Sequence, residues 1–266
     1  MTKIKSNIKS LVDLCNLISL KGKDINGRDF SPIPEFVIVA DKNLLEITAM
    51  DKGAHLLIQI KYKTEVLEPG TIVIGNVYQL RSYLSRFGNS DIVTLESTEN
   101  QIIIKRESPR KTAKFPMASE GSVESAGAGD FLKGFVKEGK AYKSTKTTFD
   151  VSFTVDALAV KNVIDDGEAV AQRIYPWTIQ ASGLTVKVGQ EETGIIETDI
   201  PIENVSNLDD KVIETGYAFG IDNLFGNLKG RVTIFLASGV GVCPMVVEQE
   251  TVELYIKALL APVNLE

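Results

Sequence analysis

Histidine is nearly absent from this 266-residue chain, cysteine and tryptophan are scarce, and no long apolar run occurs. The single histidine, His55, excludes multi-histidine metal sites. It opens an apolar run with no cysteine or histidine beside it, which reads as a surface or strand-edge residue. Cys15 and Cys243 lie in apolar runs far apart, the pattern of two small core residues and not of a disulfide framework or a metal site. The lone Trp177 sits in YPWTIQA without a second aromatic to make a base-stacking platform, so it reads as a core or edge aromatic. Nothing approaches the roughly 18 to 20 apolar residues of a membrane span, and MTKIKSNIK has no signal-peptide apolar region. An intracellular protein, cytoplasmic or nuclear, with no membrane partner is expected. Positive charge is also short: a net charge of -6 argues against coating nucleic acid by bulk charge.

What is present, 44% hydrophobic and 24% charged residues, suits two globular domains of about 130 residues each. Ser6 reads as the N-cap of a helix carrying Ile8, Leu11, Val12, Cys15 and Ile18 at helical spacing. A surface loop, KGKDINGRDFSPIPE, follows. The pattern then turns period-two and β-branched in FVIVA, LLEITAM and HLLIQIKY, three strands of a meander. From Asn76 to Phe87 a second helix places Val77, Leu80, Leu84 and Phe87 on one stripe, with Gly88 as its cap. DIVTLES, QIIIKRE and KTAKFPMA complete a first domain, residues 1 to 117.

Residues 118 to 147, small and acidic and then lysine-rich with scattered aromatics, read as a linker. In the second domain, 148 to 266, the order recurs: a strand from Thr148 to Phe153, a helix opened by Thr154, the strands YPWTIQA, LTVKVG and GIIETDI, a helix from Lys211 to Leu228, and the strands RVTIFLA, CPMVVEQ and ELYIKALLA. Strand, helix, three strands, helix, three strands thus appears twice. The predicted fold class is α+β, with two tandem copies of a helix pair on a mostly antiparallel sheet.

Three stretches carry a family signature: the AMD turn at Ala49 to Asp51, GNSDIVTLES from Gly88 to Ser97, and the end of the chain. There VVE at Val246 to Glu248, with Pro244 two residues before it, and LLAPV at Leu259 to Val263 resemble the end of a sliding clamp of the proliferating cell nuclear antigen type. The resemblance implies a non-enzymatic ring subunit, a homotrimer with pseudo-six-fold symmetry, that encircles duplex DNA without sequence preference. Such a ring tethers a polymerase, is placed on DNA by a clamp loader, and needs no cofactor or metal. It implies a partner-peptide site at Met50, Leu57, Phe131, Leu132, Phe135, Pro244, Leu259, Ala261 and Pro262. Lys9, Arg81, Arg86, Lys161 and Lys211, the basic residues on the four expected helices, would face DNA, with Asp13, Glu214 and Asp222 among them. Ring closure would pair Lys111 to Ala118 with Gly194 to Ile200 of the next subunit, setting Lys111 and Lys114 against Glu197 and Asp199.

Two other readings stay open. One is a clamp-like interaction scaffold that never closes around DNA. The other starts from GAGDFLKGF, Gly127 to Phe135, similar to the signature of ribokinase-type sugar kinases, in which Asp130 would be the base. Against the kinase stand the mid-chain position, an aromatic one place early and the want of an alternating βαβ pattern. The carboxylate pairs Asp165 with Asp166 and Asp209 with Asp210 read as helix-end and turn residues.

Overall fold

The structure, a computed structural model, describes residues 1–19, 22–23, 29–30, 35–51, 53–122, 134–144, 147–170, 174–190, 194–218, 220–239 and 243–263. The chain divides into two compact units. The first comprises Met1–Gly53, Leu57–Gly129 and Thr251–Ile256, and the second Ala54–Leu56, Asp130–Glu250 and Lys257–Glu266.

In the first unit, β1 (Thr2–Asn7) runs directly into α1 (Ile8–Ile18). The cap is Asn7, not Ser6: its side chain accepts the Lys9 N–H at 2.8 Å, while Ser6 is still in the strand and buried. The helix buries Ile8, Leu11, Leu14, Cys15 and Ile18. Of the expected loop, β2 (Gly22–Lys23) and β3 (Asp29–Phe30) pair with each other. Then come β4 (Phe36–Asp41), β5 (Leu44–Met50), β6 (Leu56–Lys63), β7 (Glu65–Glu68) and β8 (Gly70–Ile74). The predicted stripe of the second helix is buried throughout, although α2 itself is only Val77–Leu84 and Phe87 follows it in a turn. β9 (Ile92–Ser97), β10 (Gln101–Arg106) and β11 (Lys111–Pro116) close the set. The strands form the orders β11-β10-β9-β1-β7 and β6-β5-β4-β8, and α1 packs on α2. Leu11, Leu14, Cys15, Leu80 and Leu84 meet Ile38, Ile47 and Leu95 so closely that a void of only about 20 Å³ is left.

The second unit opens with β12 (Val136–Glu138) and β13 (Ala141–Lys143), both inside the stretch read as linker, which form a small sheet with β14 (Thr148–Phe149). It continues with β15 (Val151–Asp156), α3 (Ala157–Ala169), β16 (Tyr175–Gln180), β17 (Gly183–Gln190), β18 (Gly194–Ile200), β19 (Glu203–Ser206) and β20 (Ile213–Tyr217). The last elements are α4 (Ile221–Asn227), β21 (Arg231–Leu236), β22 (Met245–Glu250) and β23 (Leu254–Leu260). Asp156, not Thr154, caps α3, accepting the Leu158 N–H at 2.8 Å. The helix expected from Lys211 to Leu228 is also corrected: its first part is strand β20, hydrogen-bonded along β16. Gly220, at a left-handed φ of 77°, turns the chain before the short α4 begins.

The repeat is stricter than predicted, because the same five strands, β4 to β8 and β16 to β20, and not three, recur between the helices of each unit, with the short β2 and β3 added in the first. The second unit has the strand orders β23-β22-β21-β15-β19 and β18-β17-β16-β20, element for element those of the first, with α3 packed on α4. Every described strand pairing is antiparallel.

Candidate functional site

Each sheet order ends on an edge strand, and an unpaired edge is a row of backbone donors and acceptors ready for another chain. β11 is the edge of the first unit's five-stranded order, and β18 that of the second unit's four-stranded order. Strand parity sorts their side chains. On β18, Glu197 and Asp199 share the outer face, held by Lys187 at 3.0 Å and by the Thr185 hydroxyl at 2.6 Å. Ile196 lies on the opposite, helix-side face, 43% exposed, and Ile195 is 54% exposed. On β11, Lys111 and Lys114 are three residues apart and therefore on opposite faces. Lys114 is outward and exposed, whereas the Lys111 ammonium donates to the Arg86 carbonyl and lies 5.0 Å from the Phe87 ring. The expectation that both lysines meet Glu197 and Asp199 is corrected: only Lys114 shares their parity.

The basic residues expected on helices are dispersed. Lys9 is exposed on α1, one turn before exposed Asp13, and Arg81 is half-buried on α2. Arg86 falls beyond the helix end, its guanidinium 5.3 Å from the Tyr83 ring. Lys161 is paired with Asp165 on α3. Lys211 is not helical at all: it precedes β20, with its ammonium 3.7 Å from Asp150 and 3.4 Å from Ser238 Oγ. Asp165 and Asp166 lie inside α3, not at a helix end, while Asp209 and Asp210 do occupy a turn.

The residues of the expected peptide site fall in both units. In the first, Met50 is half-buried, but Leu57 is 3% exposed and belongs to the core, so it has no surface to offer a peptide. Phe131 and Leu132 lie outside the described residues, as does Asp130. In the second unit, Phe135 and Leu259 pack on a cluster of Tyr142, Phe149, Phe235, Ala237 and Val246. Pro244, Ala261 and Pro262 are partly exposed. The terminal segment is tied down by the Ala261 N–H to the His55 carbonyl at 2.7 Å and the Val263 N–H to the Gly216 carbonyl at 2.9 Å. A feature that local sequence patterns did not signal is Glu248: buried, it accepts from the Tyr142 hydroxyl and from Lys137 at 2.5 Å, residues over a hundred positions away.

Neither cysteine is set up for chemistry. Both are buried and neither is in a disulfide, and burial pushes the Cys15 thiol up to about 12 and raises Cys243 too. Among the described residues, three carboxylates titrate low. The Gly88 N–H, and after it Arg106, hold Asp91 below the ordinary range. For Glu96 and Asp150 burial pushes upward but is outweighed, by the Lys105 and Lys3 hydrogen bonds on Glu96 and by the Ser238 hydroxyl and N–H on Asp150. Each lowered group binds fewer protons folded than unfolded. Its stabilisation is therefore present above the unfolded value, about 4, and is lost as pH falls through the lower folded value. Melting temperature should be level above about pH 5 and fall increasingly below about pH 4. Glu96→Gln should fall less steeply than the parent, and parallel curves would show that Glu96 does not contribute.

No family model and no curated protein matches the sequence. Solved structures do match. The β chain of DNA polymerase III from Streptococcus pneumoniae TIGR4 is similar at 16% identity and a TM-score of 0.74, over 99% of this chain and 65% of that one. PCNA from Thermococcus kodakaraensis is similar at 13% identity and 0.70, over 99% and 100%. PCNA from A. fulgidus, bound to the C-terminal region of FEN-1, is similar at 12% and 0.71, over the whole of both chains. The chain thus spans about two thirds of the β chain and the full length of PCNA. The antiparallel pairing rejects the alternating βαβ frame a sugar kinase needs. With its paired helices and duplicated sheet orders, the chain has the fold of the DNA sliding clamps.

Proposed function

We propose that the chain is a subunit of a ring, a homotrimer, that encircles duplex DNA and tethers a polymerase and other replication or repair proteins. The observation that carries this reading is the pair of unlike open edges. β11 offers Lys114 on its outer face, with Phe115 stacked on Tyr83 at 5.4 Å on its inner side. β18 offers Glu197 and Asp199 outside and bare Ile196 inside. Two different edges on one chain favour head-to-tail association, which closes into a ring where the rotation permits. The DNA contact is light, from Lys9, Arg81 and Arg86, because Lys161 is ion-paired and Lys211 leaves the helices. A tether needs topological linkage and a few phosphate contacts, not base readout. Partner peptides dock near Leu259, Ala261 and Pro262, beside the aromatic cluster of the second unit.

After loader-assisted loading, the protein should stay on nicked circular duplex through a high-salt wash and be lost when the circle is cut. Equal retention on linear and circular DNA would overturn encirclement. A second reading, a scaffold of the same fold that never encloses DNA, draws on the acids among the helices: Asp13, Asp165, Asp166, Glu168 and Asp222. A ring by mass that never becomes resistant on circles would favour it.

A further inference from the structure

The two units repeat one helix pair, and the helix caps set the alignment between them. Asn7 caps α1 as Asp156 caps α3, and Asn76 precedes α2 as Gly220 precedes α4. Counted from these caps, Val77, Leu80 and Leu84 correspond to Ile221, Leu224 and Leu228, and all six are buried. The charged positions do not agree. Exposed Lys9 corresponds to Leu158, which is 59% exposed, and half-buried Arg81 to fully buried Phe225. Arg86, beyond the end of α2, corresponds to Gly230, while Asn16 and Tyr78 correspond to Asp165 and Asp222.

Over residues 7–18 and 76–87 the first pair carries three cations, Lys9, Arg81 and Arg86, against one acid, Asp13. Asp91, just beyond, is held by Arg106 at 2.5 Å. Over residues 156–169 and 220–231 the second pair carries five acids, Asp156, Asp165, Asp166, Glu168 and Asp222, against Lys161, Lys229 and Arg231. Of those cations, Lys161 is paired with Asp165, and Arg231 with both carboxylate oxygens of Glu203. Each set of like charges is gathered across its two helices. The Lys9 N–H donates to the Asn89 carbonyl at 3.2 Å, beside the stretch that holds Arg86, and Arg81 lies near enough to α1 to act on the Cys15 thiol. In the second pair the Tyr175 hydroxyl donates to the Ile164 carbonyl at 3.3 Å, and burial, then Glu168, Asp222 and Asp165, push that hydroxyl up to about 12.

We propose that duplex DNA rides on the helix pair of the first unit alone, while the helix pair of the second unit holds it off. The inference rests on the DNA-binding reading above and adds which face carries the duplex. Phosphates approach Lys9, Arg81 and Arg86, where positive charge exceeds negative. Across α3 and α4 they meet a surplus of carboxylates and, at Leu158, hydrocarbon, so approach there costs repulsion and desolvation with no cation gained. In the proposed ring, attracting and repelling faces then alternate. A trimer touches the duplex at three places and not at six, which keeps the contact weak enough to slide while the closed ring prevents escape.

The test sets one photoreactive group at matched positions of the two helix pairs in the full chain. Ser82 and Gly226 correspond in the repeat and are both exposed, and a Cβ at Gly226 meets nothing within 4 Å. Ser82→Cys and Gly226→Cys are each labelled with benzophenone maleimide, Cys15 and Cys243 being buried. With a short duplex at low salt, Ser82→Cys should cross-link to DNA and Gly226→Cys about fivefold less or not at all. By anisotropy, Lys9→Glu should weaken binding of the same duplex about tenfold and lower its salt slope by about 1, while Asp165→Asn with Asp166→Asn should tighten it about threefold. Lys140→Glu, exposed and outside both helix pairs, should leave it unchanged. Equal cross-linking from the two positions, cross-linking from Gly226→Cys alone, no cross-link from either, or no effect of the double asparagine substitution would overturn the proposal. Retention on nicked circular duplex answers separately for encirclement. A protein that stays on circles but cross-links equally keeps the ring and loses the one-sided contact; one that cross-links through Ser82→Cys but leaves circles keeps the contact and loses the ring.

Discussion

Ile196→Asp should break the proposed ring, leaving monomers at concentrations where the parent is expected to assemble. Ile196 is 43% exposed in the isolated subunit and stands on the face of β18 that continues the buried side of the sheet, between Val188 within the chain and whatever pairs beyond the edge. A carboxylate there is desolvated on association with no cation of the same parity to meet it. Lys111, the one inner-facing lysine of β11, is committed to the Arg86 carbonyl and the Phe87 ring. An unpaired charge in the centre of an interface costs at least about 2 kcal/mol, or some thirtyfold in dissociation constant. The exposed pairing of Lys114 with Glu197 or Asp199 is worth only about 0 to 1 kcal/mol, and both acids already have partners in their own subunit. Lys114→Glu should therefore shift assembly slightly and Ile196→Asp strongly. If Ile196→Asp, with unchanged circular dichroism, sediments like the parent, the β18 edge is not the interface.

Phe225→Ala should lower the urea midpoint of the second unit by about 1 to 5 M. Phe225 is fully buried on α4, its ring 6.1 Å from that of Trp177, which in turn meets Tyr217 edge-on at 5.2 Å. The Tyr217 hydroxyl donates to the Cys243 carbonyl at 2.7 Å, so helix, sheet and the approach to β22 share one aromatic contact. Removing a buried phenyl ring costs about 3 to 5 kcal/mol, a large part of the roughly 5 to 15 kcal/mol that holds a domain folded. Divided by an m-value of about 1 to 3 kcal/mol/M, that is a shift of molar size. Trp177 is the only tryptophan of the chain, so its fluorescence reports the second unit alone. An unchanged midpoint by tryptophan fluorescence would mean that the cluster relaxes around the cavity.

Where a local pattern governs the outcome, the residues were readable. Val77, Leu80, Leu84 and Phe87 are buried as their spacing predicts, and FVIVA, LLEITAM and HLLIQIKY are β4, β5 and β6. The misses share a cause. Residues 213 to 217 read as helix because apolar side chains recur there, yet Ile213, Thr215 and Tyr217 alternate into the core once β16 offers a ladder. β7, with its run of exposed and half-buried residues, has little hydrophobic signature and exists because β1 pairs with it.

The sequence by itself determined the two-fold recurrence of helices and strands, the clamp-like terminus, the core nature of the cysteines and the scarcity of positive charge. These depend on composition and on periods of a few residues, which neighbours along the chain can express. Only the tertiary structure decided that Lys111 and Lys114 face opposite ways, that Lys211 leaves the helices, that Leu57 is core, and that Tyr142 and Lys137 cover Glu248. Such outcomes depend on strand register, and register is chosen by partners tens to a hundred residues distant, where a shift of one position turns every side chain to the other face.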